Sequence, residues 1–290
     1  MDPKKVTIPS LKDLTIDSIT ENVKLVNSTN ASPRFKFLLE RLVFQAIQFL
    51  TATGQICTDV RQEFILLSDI LGLSLLVDSI DHQKPTSSTE GTFLGPFHTH
   101  DAEHLDNGSL TSHDQNGEPL LAICTVKDIE GNPIAGVKID IWETDRPECN
   151  FWFKGIVPVP YPIPHDGPVG KLLMKLNRHP MRPSHMHFMF EKESWDKLVT
   201  ALYLRGDPYE TSDAVFSVKE SLIVELGQID AEMASKYPGA HEGMKLLQYD
   251  FVLVTEEETA NLRGQRSVEA LKKLNMSVKF VDGLPVPDVD

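Results

Sequence analysis

The sequence predicts a mainly β protein, a β-sandwich preceded by an N-terminal α-helical region. Three observations predict it. Before about residue 85 the apolar residues recur at helical spacing. After it they fall in short β-rich runs, several with partial alternation. Gly, Pro and Asn punctuate those runs in the manner of short turns. The expected division is a helical region over 1–88 and a sandwich domain over 89–290.

"SPRFKFLLERLVFQAIQFL" and "TDVRQEFILLSDILGLSLLVDSI" carry the helical stripes. Ser32 before Pro33 reads as an N-cap with proline at the first helical position, and Asp59 as the cap of the second helix. An amphipathic pair of this kind packs on a body or on another subunit. "HQKPTSSTEGT", 82–92, reads as a linker. The strands are expected at "LLAICTVKD", "GVKIDIWE", "FWFKGIVPV", "MHFMFEK" and "DFVLVT". "DIEGNPIAG" is expected to join the first two as a hairpin. Short helices are expected at "GKLLMKL" and "SVKESLIVEL".

The formal net charge of -14 argues against nucleic acid and anionic lipid surfaces as partners. No apolar stretch approaches the ~20 residues that span a bilayer, and "MDPKKVTIPS" lacks the apolar core of a signal peptide. A cytoplasmic location is therefore expected. The three cysteines, Cys57, Cys124 and Cys149, form no CxxC pair and are expected to be reduced.

The chemistry concentrates in "RPSHMHF". On a strand, period two puts His185 and His187 on one face, where two imidazoles can share a metal. An HxH pair can equally be two ordinary polar side chains. "FHTHDAEH" competes, with His98, His100 and His104 beside Asp101 and Glu103. It lies in a polar stretch with no strand to fix its geometry, and is read as solvated loop. "VPVPYPIPHDGPVG" surrounds Tyr161 with prolines, which stiffen the chain. Tyr161 is then either a packed aromatic or a rigidly held phenolate. A trivalent metal favours such an anionic oxygen and lowers a phenol's pKa far below its usual ~10. A His, His, Tyr set suits iron better than zinc, whose usual ligands are Cys, His and carboxylate. No GxGxxG or Walker motif points to a nucleotide cofactor.

"LGPFHTHDAE", "DGPVGKLL", "NRHPMRPSHMHF" and "ALYLRGDPYETSDAVF" resemble the intradiol ring-cleavage dioxygenases, above all the fungal hydroxyquinol 1,2-dioxygenase branch. The resemblance runs from "LKDLT" through "LVTEEE". It implies that the helical region dimerises, that phospholipid binds near the dimer interface, and that the sandwich domain carries non-haem Fe(III). It implies cleavage of a catechol-type substrate with O2 between its adjacent hydroxyl-bearing carbons. By position, Tyr161, His185 and His187 match iron ligands. Tyr161 and Arg182 match the catalytic pair, the arginine stabilising negative charge on the substrate. The pocket implied is Leu66, Asp69, Phe93, Leu94, Gly95, Pro96, Phe97, Ile163, Pro164, Arg182 and Val215. Arg182 is expected to serve chemistry rather than folding.

The chain departs from the family pattern at two joins. The family's fourth ligand is a second tyrosine between the "DIWETD" and "FWFKGIVP" strands, where only "RPECN" stands. The five tyrosines are Tyr161, Tyr203, Tyr209, Tyr237 and Tyr249, none of them in that region. A second gap is expected near "ERLVFQAIQ". The alternative this raises is a catalytically impaired family member that keeps fold and dimerisation only.

Overall fold

The computed structural model describes residues 33–95, 98, 105–112, 114, 116–141, 144–145, 150–281 and 284–288. Helix α1, Pro33–Gln55, begins at the expected proline. Its expected cap, Ser32, lies outside the described residues. The single second helix of the sequence reading is two helices, α2 (Glu63–Ile70) and α3 (Leu73–Asp81). Gly72 breaks it with φ 71°, a left-handed conformation that only glycine adopts without strain. Asp59 caps nothing, because α2 starts only at Glu63.

Two compact units are present, residues 1–64 with 165–176 and residues 65–164 with 177–290. In the first, α4 (Pro168–Lys175) packs against α1. The buried Glu63 carboxylate accepts the Val169 amide at 3.1 Å and pairs with Arg61, which also holds Asp166. At Gly170 a Cβ would sit 2.0 Å from the His165 carbonyl oxygen, so only glycine fits.

The second unit contains the sandwich. Its strands are β1 (Pro119–Lys127), β2 (Lys138–Ile141), β3 (Thr144–Asp145), β4 (Asn150–Ile156), β5 (Tyr161–Pro162), β6 (Met181–Arg182), β7 (His185–Glu191), β8 (Leu198–Leu204), β9 (Ile223–Val224), β10 (Gly227–Gln228) and β11 (Lys245–Val252). One sheet runs β10-β11-β1-β4 and the other β3-β2-β7-β8-β9. Their inner faces meet in an aromatic core of Phe151, Phe153, Phe188, Phe190 and Phe251. The segment 128–137 is therefore a corner between sheets and not a hairpin. Its turn is local, Asp128 N to Asn132 O at 2.9 Å, but β1 and β2 pair with different partners. Both ends bury apolar groups, Val126 on one side and Val137 and Ile139 on the other.

Three further differences stand out. "SVKESLIVEL" is not a helix: only Glu220–Leu222 makes a helical turn before β9, because Leu222 and Val224 are drawn into the core. β8 lies in none of the expected runs, β11 starts at Lys245, ahead of the run that begins at Asp250, and α5 (Ala231–Lys236) is likewise unannounced. After β11 come α6 (Glu256–Lys273) and a hairpin of β12 (Ser277–Val281) and β13 (Leu284–Asp288). A capping box between Thr255 and Glu258 starts α6. Among the described residues no helix is long and apolar enough to cross a membrane.

Candidate metal centre

Strand β7 is where the two histidine readings separate. Met186, Phe188 and Phe190 point into the core, and period two sends His185 and His187 to the opposite face. Their rings meet edge to face with centroids 4.8 Å apart. The short ladder β5–β6 pairs Tyr161 directly with Arg182 and leads into β7 after Pro183 and Ser184. It brings the Tyr161 hydroxyl to 3.5 Å from His185 Nε2. His185 Nδ1 lies 2.6 Å from the Pro183 carbonyl oxygen. A carbonyl only accepts, so Nδ1 carries the proton and Nε2 presents a lone pair toward the phenol.

Burial, then the Arg182 charge, pushes His185 down to about 3. His187 is held well below the usual histidine range by burial, then by His185 and Arg182, against a backbone hydrogen bond at Thr200. Both imidazoles are therefore neutral near pH 7, the form that ligates a metal. Ala201 stands opposite His187 on β8, and Tyr203 opposite His185.

Arg182 is 3% exposed and fully engaged. Nη1 donates to Tyr161 Oη (3.3 Å), Nε to Asp213 Oδ1 (3.3 Å), and Nη2 to Ser217 Oγ (2.6 Å) and Tyr203 Oη (3.4 Å). Burial disfavours its charge, but the surrounding Tyr203, Asp213 and Tyr161 groups hold its pKa above the ordinary arginine value. This corrects the reading of Arg182 as a group for chemistry alone: it is also the counter-ion of the buried Asp213. Asp213, Ser217 and Tyr203 were missed in the sequence. They are buried polar residues whose signal exists only once the chain is folded.

Of the implied pocket, Leu66, Asp69, Ile163 and Val215 are buried. Arg178 ties the Ile70 and Ala214 carbonyls together at 2.7 and 2.8 Å, so the end of α2 is held beside the loop that carries Val215. The Asp69 carboxylate interacts electrostatically with Arg182 and Asp213, and burial pushes it up to about 6. Its Oδ1 accepts from Ser74 at 2.5 Å, while Oδ2 is buried and makes no hydrogen bond among the described residues. Phe93 and Leu94 line a cavity of about 420 Å³ with Val77, Asp78, Lys84 and Asp196, whose walls include none of Tyr161, Arg182, His185 or His187. Gly95 is left-handed (φ 75°), Pro164 follows the buried Ile163, and Pro96 and Phe97 lie outside the described residues.

His98 is not the solvated residue expected. Its side chain is 5% exposed and its Nε2 lies 2.9 Å from Asp140 Oδ2. Alternation along β2 buries Ile139 and Ile141 and turns Asp140 the other way, which gives the histidine a polar partner under cover. His100, Asp101, Glu103 and His104 lie outside the described residues.

Among the described residues no three His, Cys, Asp or Glu side chains cluster as a metal site. The donor set here includes a phenol oxygen, and its chemistry fits a ferric ion: one potential anion and two neutral imidazoles. Of the other tyrosines, Tyr203 lies beside His185 but its hydroxyl is already committed, and the remaining three are engaged elsewhere. Tyr203 is locked on Ser217 and pushed by burial up to about 12, Tyr209 packs on His179, Tyr237 on Trp152 and Tyr249 on Phe251.

The family model for the dioxygenase domain matches residues 144–255, and that for the catechol dioxygenase N terminus matches 43–89. The chain is 59% identical to the intradiol ring-cleavage dioxygenase hqdA of Aspergillus niger, over 330 aligned positions and the full length of both. It is 42% identical to a hydroxyquinol 1,2-dioxygenase of a Rhizobium species over 72% of this chain and 79% of that protein. The solved hydroxyquinol 1,2-dioxygenase of Pseudomonas putida is 36% identical, with a TM-score of 0.67 over 83% of this chain and 98% of that one. The chain belongs to the intradiol ring-cleavage dioxygenase family.

Proposed function

We propose that Tyr161, His185 and His187 hold a non-haem ferric ion, and that the protein cleaves hydroxyquinol or catechol with O2 between the adjacent hydroxyl-bearing carbons. The observation that carries this is the Tyr161 hydroxyl 3.5 Å from a His185 nitrogen whose ring is oriented by Pro183. A ferric ion there would bind the two substrate oxygens and draw electron density from the ring. Tyr161 supplies an anionic protein oxygen. Arg182, held against it, supplies a preorganised positive charge where negative charge builds on the ring. Leu66, Ile163 and Val215 bring apolar cover that keeps water from the reacting groups.

Asp69 favours hydroxyquinol over catechol. A buried carboxylate oxygen with no donor of its own suits the additional hydroxyl of a trihydroxybenzene. The family names of the relatives agree: the Rhizobium and P. putida proteins are hydroxyquinol 1,2-dioxygenases. The test is cleavage of both substrates by the iron-loaded protein. Asp69→Leu should lower kcat/KM for hydroxyquinol relative to catechol by ~10-fold or more, since a site built to hydrogen-bond a hydroxyl loses that discrimination. An unchanged ratio removes Asp69 from the reading.

The same reading assigns residues 1–88 to homodimerisation and 89–290 to catalysis. Phe64, Ile65, Leu73, Leu76 and Ile80 are exposed apolar side chains of the kind an interface or a phospholipid chain covers. A cytoplasmic location fits the free thiols of Cys57 and Cys124. The alignment with the A. niger relative has 330 positions against 290 residues here, so at least 40 face a gap.

A further inference from the structure

The buried carboxylate of Asp213 lies outside the donor set and reaches it through Arg182. We infer that Asp213, acting with Ser217 and Tyr203, is a positioning residue that clamps the Arg182 guanidinium so that only Nη1 faces the Tyr161 oxygen. The inference rests on the reading of Tyr161 as part of the reaction centre.

The geometry is specific. Two of the three guanidinium nitrogens are taken by the clamp, Nε by Asp213 and Nη2 by Ser217 and Tyr203. The clamp is itself ordered. Tyr203 donates to Ser217 Oγ at 2.7 Å, and Ser217 Oγ donates to Asp213 Oδ2 at 2.6 Å. The Ser217 and Val215 amides close on the same carboxylate at 2.9 and 3.3 Å. Each Asp213 oxygen thus receives two donors, which leaves the carboxylate one orientation. The loop that makes this turn passes through Phe216 with φ 61°. A bulky residue is strained there and is tolerated only where the surroundings fix it. Arg178 fixes it, with its guanidinium 4.5 Å over the Phe216 ring.

A folding role alone does not require this arrangement. Buried ion pairs are often replaced by apolar pairs without loss of stability. What an apolar pair cannot do is aim a cation. Arginine has a planar fork, so fixing Nε and one terminal nitrogen fixes the direction of the other.

The test has two arms. In metal-free, 15N-labelled protein, the Arg182 Nε–H resonance, assigned with Arg182→Lys, should exchange slowly with solvent. Asp213→Asn should speed that exchange by ~10-fold or more while strand amides keep their protection. Ser217→Ala should speed it less, and Tyr203→Phe least. Ser217→Thr, which keeps the hydroxyl, should restore protection relative to Ser217→Ala. In the second arm, iron-loaded variants should lose kcat for hydroxyquinol in the same order, ~10- to 100-fold at Asp213→Asn, with KM nearly constant. Unchanged Nε–H exchange in Asp213→Asn overturns the inference. So does parallel loss of all strand amide protection in all three hydroxyl or charge variants, which would make the cluster purely structural. If the wild-type protein cleaves nothing, the functional reading fails, while the exchange arm still decides the clamp.

Discussion

The two faces of β7 are built from seven consecutive residues and do opposite work. One face puts Met186, Phe188 and Phe190 into an aromatic core that includes Phe151 and Phe251. The other puts His185 and His187 beside a phenol and a buried cation. The apolar face has many interchangeable contacts. The polar face has few, each with one geometry. Stability therefore resides mainly on one side of the strand and chemistry on the other, and Arg182 with Asp213 is where the two overlap.

The largest effects should come from breaking the apolar face. Phe188 is fully buried, with its ring centroid 4.8 Å from that of Phe251. Phe188→Ala should lower unfolding free energy by ~3–5 kcal/mol in urea titration, as large-to-small core changes do. Arg182→Ala tests the overlap. It leaves Asp213 as an unpaired buried charge, so we expect a loss of ~3–5 kcal/mol in stability. A turnover loss of ~10²-fold or more should accompany it. Adding Asp213→Asn should recover stability and not turnover, read by melting and by kcat on the same preparations.

Acid should separate the faces by another route. The folded state holds His185 near 3 and His187 well below 6.5, while the unfolded chain titrates near 6.5. As pH falls below 6.5 the unfolded state takes up protons that the folded state refuses. The contribution of the two histidines to the stability of the metal-free protein is thus complete above that pH and lost toward 3, by up to ~1.4 kcal/mol per pH unit for each histidine. His185→Gln should flatten the slope of unfolding free energy against pH. Asp69 acts in the opposite sense, since its pKa is raised to about 6 and its contribution is lost as pH rises from 3.8 through 6.

The sequence made β7 legible because alternation is local: "HMHFMFE" states both faces by itself. The corner at 128–137 is not legible in the sequence because Gly131, Asn132 and Pro133 serve a hairpin and an intersheet corner equally well. Helix α6 is hard to see for want of an apolar stripe in "EEETANLRGQRSVEALKK", although its cap, Thr255 with Glu258, is written in the chain. Asp213 and Ser217 were invisible as a clamp because nothing in "SDAVFS" says that its polar groups are buried. The burial of His98 is hidden for the same reason: its partner, Asp140, is supplied by a distant strand.

The smallest expected effect is a gain. A tyrosine-bearing loop grafted between Asp145 and Phe151 would add a second anionic oxygen to a site that has one. Iron should bind more tightly and turnover should rise, measured by competition with a chelator and by oxygen uptake. No change in either would show that one phenolate suffices.

The central claim is tested most directly by iron content and visible absorption of the loaded protein, wild type against Tyr161→Phe. We expect about one ferric ion per chain held by three protein donors, with a phenolate-to-iron charge-transfer band in the wild type. In Tyr161→Phe the band should vanish while the two histidines still retain part of the iron. A wild-type protein that binds no iron, or a band that survives Tyr161→Phe, would contradict it.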